Sequence, residues 1–271
     1  MNRVPKDGGR QRKDAAHGLK IDIANWLFVF LRVSAVVMVF PVFSAKHIPA
    51  RVRVALGALA AFLIAPALPA IALEGLGLWP VVGIMIREVI NGLVIGFVAR
   101  MVFHCLDIAG QLVATELGLN MAADVNPFSG VRTELPGLIL FYLGAMLFLN
   151  LDLHHHLLLG LQQGYQVLPI GTGMLGGPVL DDLTARTSRL FVVALQIAAP
   201  IMAVSFVVML VFALLGRAIP QISSFFESFA FRVMAGLFVF GLSTNLMAQH
   251  ISNFLRQLPE DVVRITQLLA T

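Results

Sequence analysis

From Arg189 to Arg217 the chain places no acidic or basic side chain, and most of what lies between is Val, Leu, Ile, Phe, Met and Ala. About 20 mostly apolar residues rising 1.5 Å each cross the ~30 Å hydrocarbon layer of a bilayer. A run this long and this apolar therefore fixes the solvent of the chain before anything else about it is read. Five further stretches come near the same length: Trp26–Phe43, Val54–Leu73, Val81–Cys105, Leu135–Leu151 and Phe229–Met247, to which Leu190–Leu215 adds the sixth. The runs are continuous rather than alternating over ~10 residues, which excludes barrel strands. In lipid, a helix satisfies its backbone groups within its own segment. The reading is an all-α integral membrane protein of about six hydrophobic helices, with Pro41, Pro66, Pro69 and Pro200 kinking or breaking some of them. Broken helices suit an assembly packed against other protein better than one surrounded by lipid. The fourth stretch is short and follows Pro136, which points to a tilted or half-buried helix.

Charge supports the same reading. Only 13% of the 271 residues are charged and 58% are hydrophobic, against roughly 25% charged in soluble domains. The formal net charge of +4 resides wholly in residues 1–20, where Arg3, Lys6, Arg10, Arg12, Lys13 and Lys20 face only Asp7 and Asp14. The chain thus divides into a polar basic tail, 1–20, expected to be disordered, and a single membrane-helical domain, 21–271. A basic tail can touch anionic headgroups. No basic face runs through the body, so a nucleic-acid partner is excluded. The apolar run from Trp26 is too long for a signal core and contains Arg32, so it reads as a retained first helix. The loop with Lys46, Arg51 and Arg53 opposes the tail, and the charge bias leaves the orientation open.

Three polar constellations stand out. Arg87, Glu88 and Asn91 begin a series that continues through Arg100, His104, Asp107 and Gln111. Positions 92, 96, 100, 104, 107, 111 and 115 recur at helical spacing, so Gly92, Gly96 and the later polar groups share one side. Ionisable groups at bilayer depth face protein or water. The series reads either as the lining of a polar path or as an ion-paired seam, between subunits or partly outside the bilayer. Gly92/Gly96 and Gly160/Gly164 are spaced for close helix approach. Asp152, His155 and His156 have the spacing of metal ligands on one helical face, but no second ligand cluster accompanies them. They are read as interfacial polar residues, with no metal and no cofactor expected. Cys105, the single cysteine, reads as an inert buried thiol. No Gly-x-Ser-x-Gly, His-Glu-x-x-His or phosphate-binding Gly-rich motif is present, so no catalytic residue is assigned and no enzyme is expected. Finally, residues 118–131 combine Gly118, Gly130, Asn120, Asn126 and Pro127 with apolar Leu119, Met121, Val125 and Phe128. Helix breakers between two apolar regions make either a surface loop or a re-entrant, constricting segment.

The order and spacing of several short motifs resemble the FliR family of flagellar biosynthetic proteins and its injectisome relatives, the SctT proteins. They are Ile48-Pro49-Ala50-Arg51-Val52-Arg53, Ala109-Gly110-Gln111-Leu112, Gly118-Leu119 through Pro127 and Gly130, Leu151-Asp152-Leu153-His154-His155, Leu168-Pro169-Ile170-Gly171, and Arg217 with Pro220-Gln221, Phe229 and Arg232. Glu116 stands where that family usually has Gln, Asn126 where Asp commonly precedes the proline, and Ser223, Ser228 and Ala230 replace Asn, Gly and Pro. The His pair favours the flagellar branch, while these departures leave open the alternative of a divergent, injectisome SctT-type export subunit. The resemblance implies a core structural subunit of the type III protein export gate, in the bacterial inner membrane at the flagellar basal body. There it would join FliP-like and FliQ-like subunits in a helical assembly around a closed channel for unfolded protein substrates, alongside FlhB-like and FlhA-like proteins. It also implies a plug-like constriction at Gly118, Leu119, Asn120, Met121, Asp124, Val125, Asn126, Pro127, Phe128 and Gly130. An alternative from another class is an ion-coupled secondary transporter with Glu88, Arg100 and Asp107 as its polar path, though no convincing internal repeat supports it.

Overall fold

The computed structural model describes residues 22–44, 48–69, 71, 76–119, 135–173, 175–218 and 224–271. The tail 1–20 and most of the 118–131 segment lie outside them. The described residues form helices, and the order follows the apolar stretches closely. The helices are α1 (Ile23–Val39), α2 (Pro41–Ser44), α3 (Ala50–Ile64), α4 (Leu78–Glu116), α5 (Leu135–Asn150), α6 (Leu153–Val167), α7 (Gly177–Ala218), α8 (Ser224–Leu255) and α9 (Leu258–Ala270).

Local chemistry sets several of the boundaries. The Asp22 side chain caps α1 by accepting from the Ala24 N–H at 3.0 Å. Pro41 disfavours helical backbone at the residue before it, and Phe40 is indeed extended, so α1 stops at Val39. That leaves α1 at 17 residues, short for a crossing. At the other end of α4, Gly118 adopts φ 72°. There the Leu119 N–H donates to the Ala114 carbonyl and the Gly118 N–H to that of Thr115, both at 2.9 Å. This pair of bonds is the Schellman arrangement, which glycine admits without a Cβ clash. Between α5 and α6, Asp152 takes a left-handed backbone, φ 53°, and the two helices bend by 68°.

By length and composition four segments could cross a membrane: Ala50–Ala67, Leu78–Glu116, Gly177–Ala218 and Glu227–Ala270. The bent α5–α6 pair makes a fifth. The expected six spans are therefore four or five plus the short α1. The fourth stretch, expected to be a tilted or half-buried helix, is half of a bent pair. Helix α4, of 39 residues, is the axis of the fold: α1, α5, α7 and α9 all pack on it. At 1.5 Å per residue it is roughly 58 Å long, about twice the hydrocarbon thickness, so it extends well past that layer or lies strongly tilted in it.

Close approach on α4 depends on glycine. A Cβ at Gly92 would overlap the Arg32 carbonyl oxygen and sit 2.8 Å from the Ala35 Cβ, and one at Gly96 would lie 3.1 Å from the Val36 Cα. The Gly92/Gly96 spacing thus seats α1 against α4. The second pair is looser: Gly164 faces Thr266 and Gly160 faces Val262, both on α9. Helix α9 buries Leu258, Val262, Ile265 and Leu269 on one stripe against α6 and α4. Phe40, Phe103 and Phe148 join α1, α4 and α5, with Phe40 centroids 5.5 and 5.0 Å from the other two. The outer faces of α7 and α8 are apolar and bare, with Phe206, Met234, Phe238 and Leu242 each about two-thirds exposed.

Candidate functional site

Arg32 is the one charge in the first apolar stretch and Glu88 the one acid in the third, and the fold brings them together. Their exposures are 1% and 0%. Arg32 Nε donates to Glu88 Oε2 at 2.7 Å and a terminal nitrogen donates to Oε1 at 2.9 Å. This bidentate geometry is the strongest form of the pair. The other terminal nitrogen of Arg32 donates to the Leu168 carbonyl at 2.9 Å, and its guanidinium carbon lies 4.1 Å over the Tyr165 ring, a cation–π contact. Glu88 Oε1 in turn accepts from the Gly171 N–H at 2.9 Å.

The pair therefore clamps the segment that follows α6. Asn91 Nδ2 adds a bond to the Thr172 carbonyl at 3.0 Å and Arg87 one to the Gly171 carbonyl at 3.1 Å. Gly171 and Gly173 have φ of 83° and 102°, and a Cβ at Gly173 would press on the Asn91 amide at about 3 Å. Leu168-Pro169-Ile170-Gly171 is thus a loop moulded onto α1 and α4. Neither charge of the buried pair is left uncompensated, which is the condition for keeping both at this depth.

The remaining residues of the predicted polar series sit farther along α4. Arg100 Nε donates to His104 Nε2 at 3.0 Å, and His104 Nδ1 lies 3.6 Å from an Asp107 carboxylate oxygen. Arg100 also reaches the Val39 carbonyl at the end of α1, at 3.5 Å. Glu88, Gly92, Gly96 and Arg100 consequently all meet α1, whereas Arg87 and Gln111 are exposed. The series divides into a buried clamp, a half-buried Arg–His–Asp chain and an exposed Gln.

Of the predicted constriction, Gly118 and Leu119 are described, as the stop of α4. Asn120, Met121, Asp124, Val125, Asn126, Pro127, Phe128 and Gly130 lie outside the described residues. Both flanks are anchored. Leu117 is fully buried, and a Cβ at Gly236 on α8 would overlap its Cδ2; a Cβ at Gly110 on α4 would overlap the Gly137 backbone on α5. Helix α4 thus lies backbone to backbone with α5 on either side of the break.

The histidines arrange differently from their i, i+3, i+4 expectation. Asp152, His154 and His155 offer ligand atoms within 4.8 Å of one another. His156 instead places Nδ1 3.1 Å from the Asp152 carbonyl. Asp152 and His155 are two-thirds exposed at the α5–α6 bend.

Sequence reasoning noticed Arg32 without its partner. A partial signal was there: a lone base in the first apolar stretch needs an acid, and Glu88 is the one acid in the third, though Arg87 and Arg100 in that same stretch compete for it. Tyr165 as the ring under Arg32 carried no such signal. Asp182, Arg186, Asp261 and Arg264, which tie α7 to α9 by ion pairs, were likewise missed.

Long apolar helices around a central axis, with isolated charges tied up in structural clamps, define a polytopic helical membrane protein. A family model described as "Bacterial export proteins, family 1" matches residues 23–258. The Flagellar biosynthetic protein FliR of Caulobacter vibrioides is 32% identical over 240 residues, 85% of this chain and 92% of the relative. Those of Pectobacterium carotovorum (28%, covering 91% of this chain and 96% of the relative) and Escherichia coli K12 (27%, 88% and 94%) are similar over 256 and 249 residues. The chain belongs to the FliR family of bacterial export proteins.

Proposed function

We propose that this chain is a channel-forming core subunit of the flagellar type III export gate. In this reading it assembles with FliP-like and FliQ-like subunits around a closed conduit for unfolded protein substrates. It sits in the bacterial inner membrane beside FlhB-like and FlhA-like proteins, and acts structurally rather than as a catalyst. The observation that carries the reading is the match to the export family over residues 23–258.

Two features of the fold support it. The 39-residue α4 breaks at Gly118 between the anchored Leu117–Gly236 and Gly110–Gly137 contacts. This gives the segment 118–130 fixed ends from which to close a channel. The bare apolar faces of α7 and α8 offer surface for neighbouring subunits as well as lipid. The transporter alternative loses its polar path, because Glu88 is bound to Arg32 and Gly171, Arg100 to His104, and His104 to Asp107.

The test is genetic and biochemical. Cells lacking the chain should neither swim nor secrete flagellar proteins, and mild-detergent purification of the tagged chain should recover FliP-like and FliQ-like subunits with it. Normal swimming without the chain, or a monodisperse monomer stable without partners, would overturn the proposal.

A further inference from the structure

We infer that the cavity between α4, α7, α8 and α9 binds the phosphate of an anionic phospholipid. The inference rests on the membrane class of the fold and not on the export role. The cavity has a volume of about 150 Å³, room for a phosphodiester group but not for a whole lipid. Its floor is apolar, from Val98 and Met101 on α4, Leu190 on α7 and Phe254 on α8. Its polar side carries Arg186 and Arg189 on α7 and Arg264 on α9, with Asp182 and Asp261.

Three observations select the ligand. The first is charge: three guanidinium groups face two carboxylates, so the empty site holds an excess positive charge. The second is how these groups are engaged. Arg186 is held between Asp182 and Asp261, and Arg264 Nε meets Asp182 at 3.0 Å. The carboxylates thereby fix two of the arginines, and the terminal nitrogens of Arg264 remain available. Arg189 lines the cavity and has no partner among the described residues. The third is depth. Residues 181–189 of α7 are polar except for Leu183 and Ala185, and from Leu190 the helix is uncharged until Arg217. The cavity therefore straddles the point where headgroup chemistry gives way to hydrocarbon. Val192, one turn on from Arg189, is about half exposed and lies on the same side of the helix. Acyl chains of a lipid whose phosphate met Arg189 would have apolar surface directly below. Basic pockets between membrane helices near the headgroup level hold anionic lipids on this principle.

The experiment is native mass spectrometry of the full chain, in its extracted complex. The sample is delipidated and titrated with phosphatidylglycerol, with zwitterionic phosphatidylcholine as the control of zero net charge and inorganic phosphate as a competitor. Phosphatidylglycerol should be retained over phosphatidylcholine, and Arg189→Gln should weaken its binding about fivefold. Arg189→Gln breaks no ion pair, so folding is not at stake, and Arg189→Lys should restore most of the affinity. Arg51→Gln, at an exposed base on α3 outside the cavity, should change nothing. Equal retention of both lipids, or equal loss from Arg189→Gln and Arg51→Gln, would overturn the assignment. Displacement of phosphatidylglycerol by millimolar phosphate would overturn it too, by making the site one for free phosphate.

Discussion

Arg32 and Glu88 show how one buried charge makes another obligatory. Removing one partner leaves the other desolvated and unpaired, at a cost of ~3–5 kcal/mol, whereas replacing both with apolar groups of like size is often tolerated. Arg32→Met and Glu88→Leu should therefore each lower the unfolding midpoint and cellular level of the protein sharply. The Arg32→Met/Glu88→Leu double variant should be closer to wild type in core stability than either single. Equal losses in all three, measured by thermal melting of the extracted complex, would show that the pair matters only through its bonds to the Leu168–Gly173 loop. Those bonds, to the Leu168 carbonyl and the Gly171 N–H, can be probed separately. Gly173→Ala places a Cβ against the Asn91 amide at a backbone φ of 102°, and strain of this kind costs about 1–3 kcal/mol. A smaller drop in melting temperature than for either charge variant is expected, with faster proteolysis in the loop if the clamp opens locally.

The helices themselves were legible because hydropathy reports directly on what must be hidden from water. Each of the six apolar stretches contains or belongs to a helix, and the Gly92/Gly96 spacing foretold a close contact whose partner, α1, only the fold could name. What hydropathy could not give is the bend. Leu135–Asn150 and Leu153–Val167 differ in direction by 68°, and the cause is one residue, Asp152, in a left-handed conformation that no apolar count registers. Nor could it give the α7–α9 ion pairs, which join residues 75 and 82 apart in sequence; a charge at a helix end looks solvated until its partner is known. The polar series on α4 was read as one side of a helix, yet its 39 residues outlast any single neighbour. Its first part meets α1 and its last polar member, Gln111, is exposed. The α1–α4 contact yields its own prediction. Gly92→Leu puts a side chain into the Arg32 backbone, which no rotamer avoids, so α1 must move off α4 and carry Arg32 away from Glu88. Assembly with partner subunits should fail, as read by co-purification. Gly83→Ala, with open space around its added Cβ, should assemble normally.

At the scale of the whole molecule the question is what the interruption of α4 is for. A helix that has run 39 residues is stopped by a Schellman turn at Gly118, and the next described helix is α5, from Leu135. Packing holds both sides: the Gly110 and Gly137 backbones are pressed together, and the Leu117 side chain lies against Gly236. A solvated outer loop gains nothing from Leu119, Met121, Val125 and Phe128, whereas a constriction uses apolar groups to exclude water and ions. In the proposed constriction, Gly118 and Gly130 would supply the backbone freedom for the segment to yield to a passing polypeptide. The ends being anchored independently, the middle can be shortened without unseating α4 or α5. Deleting residues 121–128 and bridging the gap with a short Gly-Ser linker should leave the complex assembled, as judged by co-purification of FliP-like and FliQ-like subunits. It should also raise resting leakage of ions or small solutes across the membrane of cells making it, measured as conductance or dye entry against wild type. Assembly, normal export and wild-type leakage together would reduce the segment to a connecting loop. Loss of assembly would show instead that the segment is a packing element, and the Leu117–Gly236 and Gly110–Gly137 contacts would then be insufficient to hold the two helices on their own.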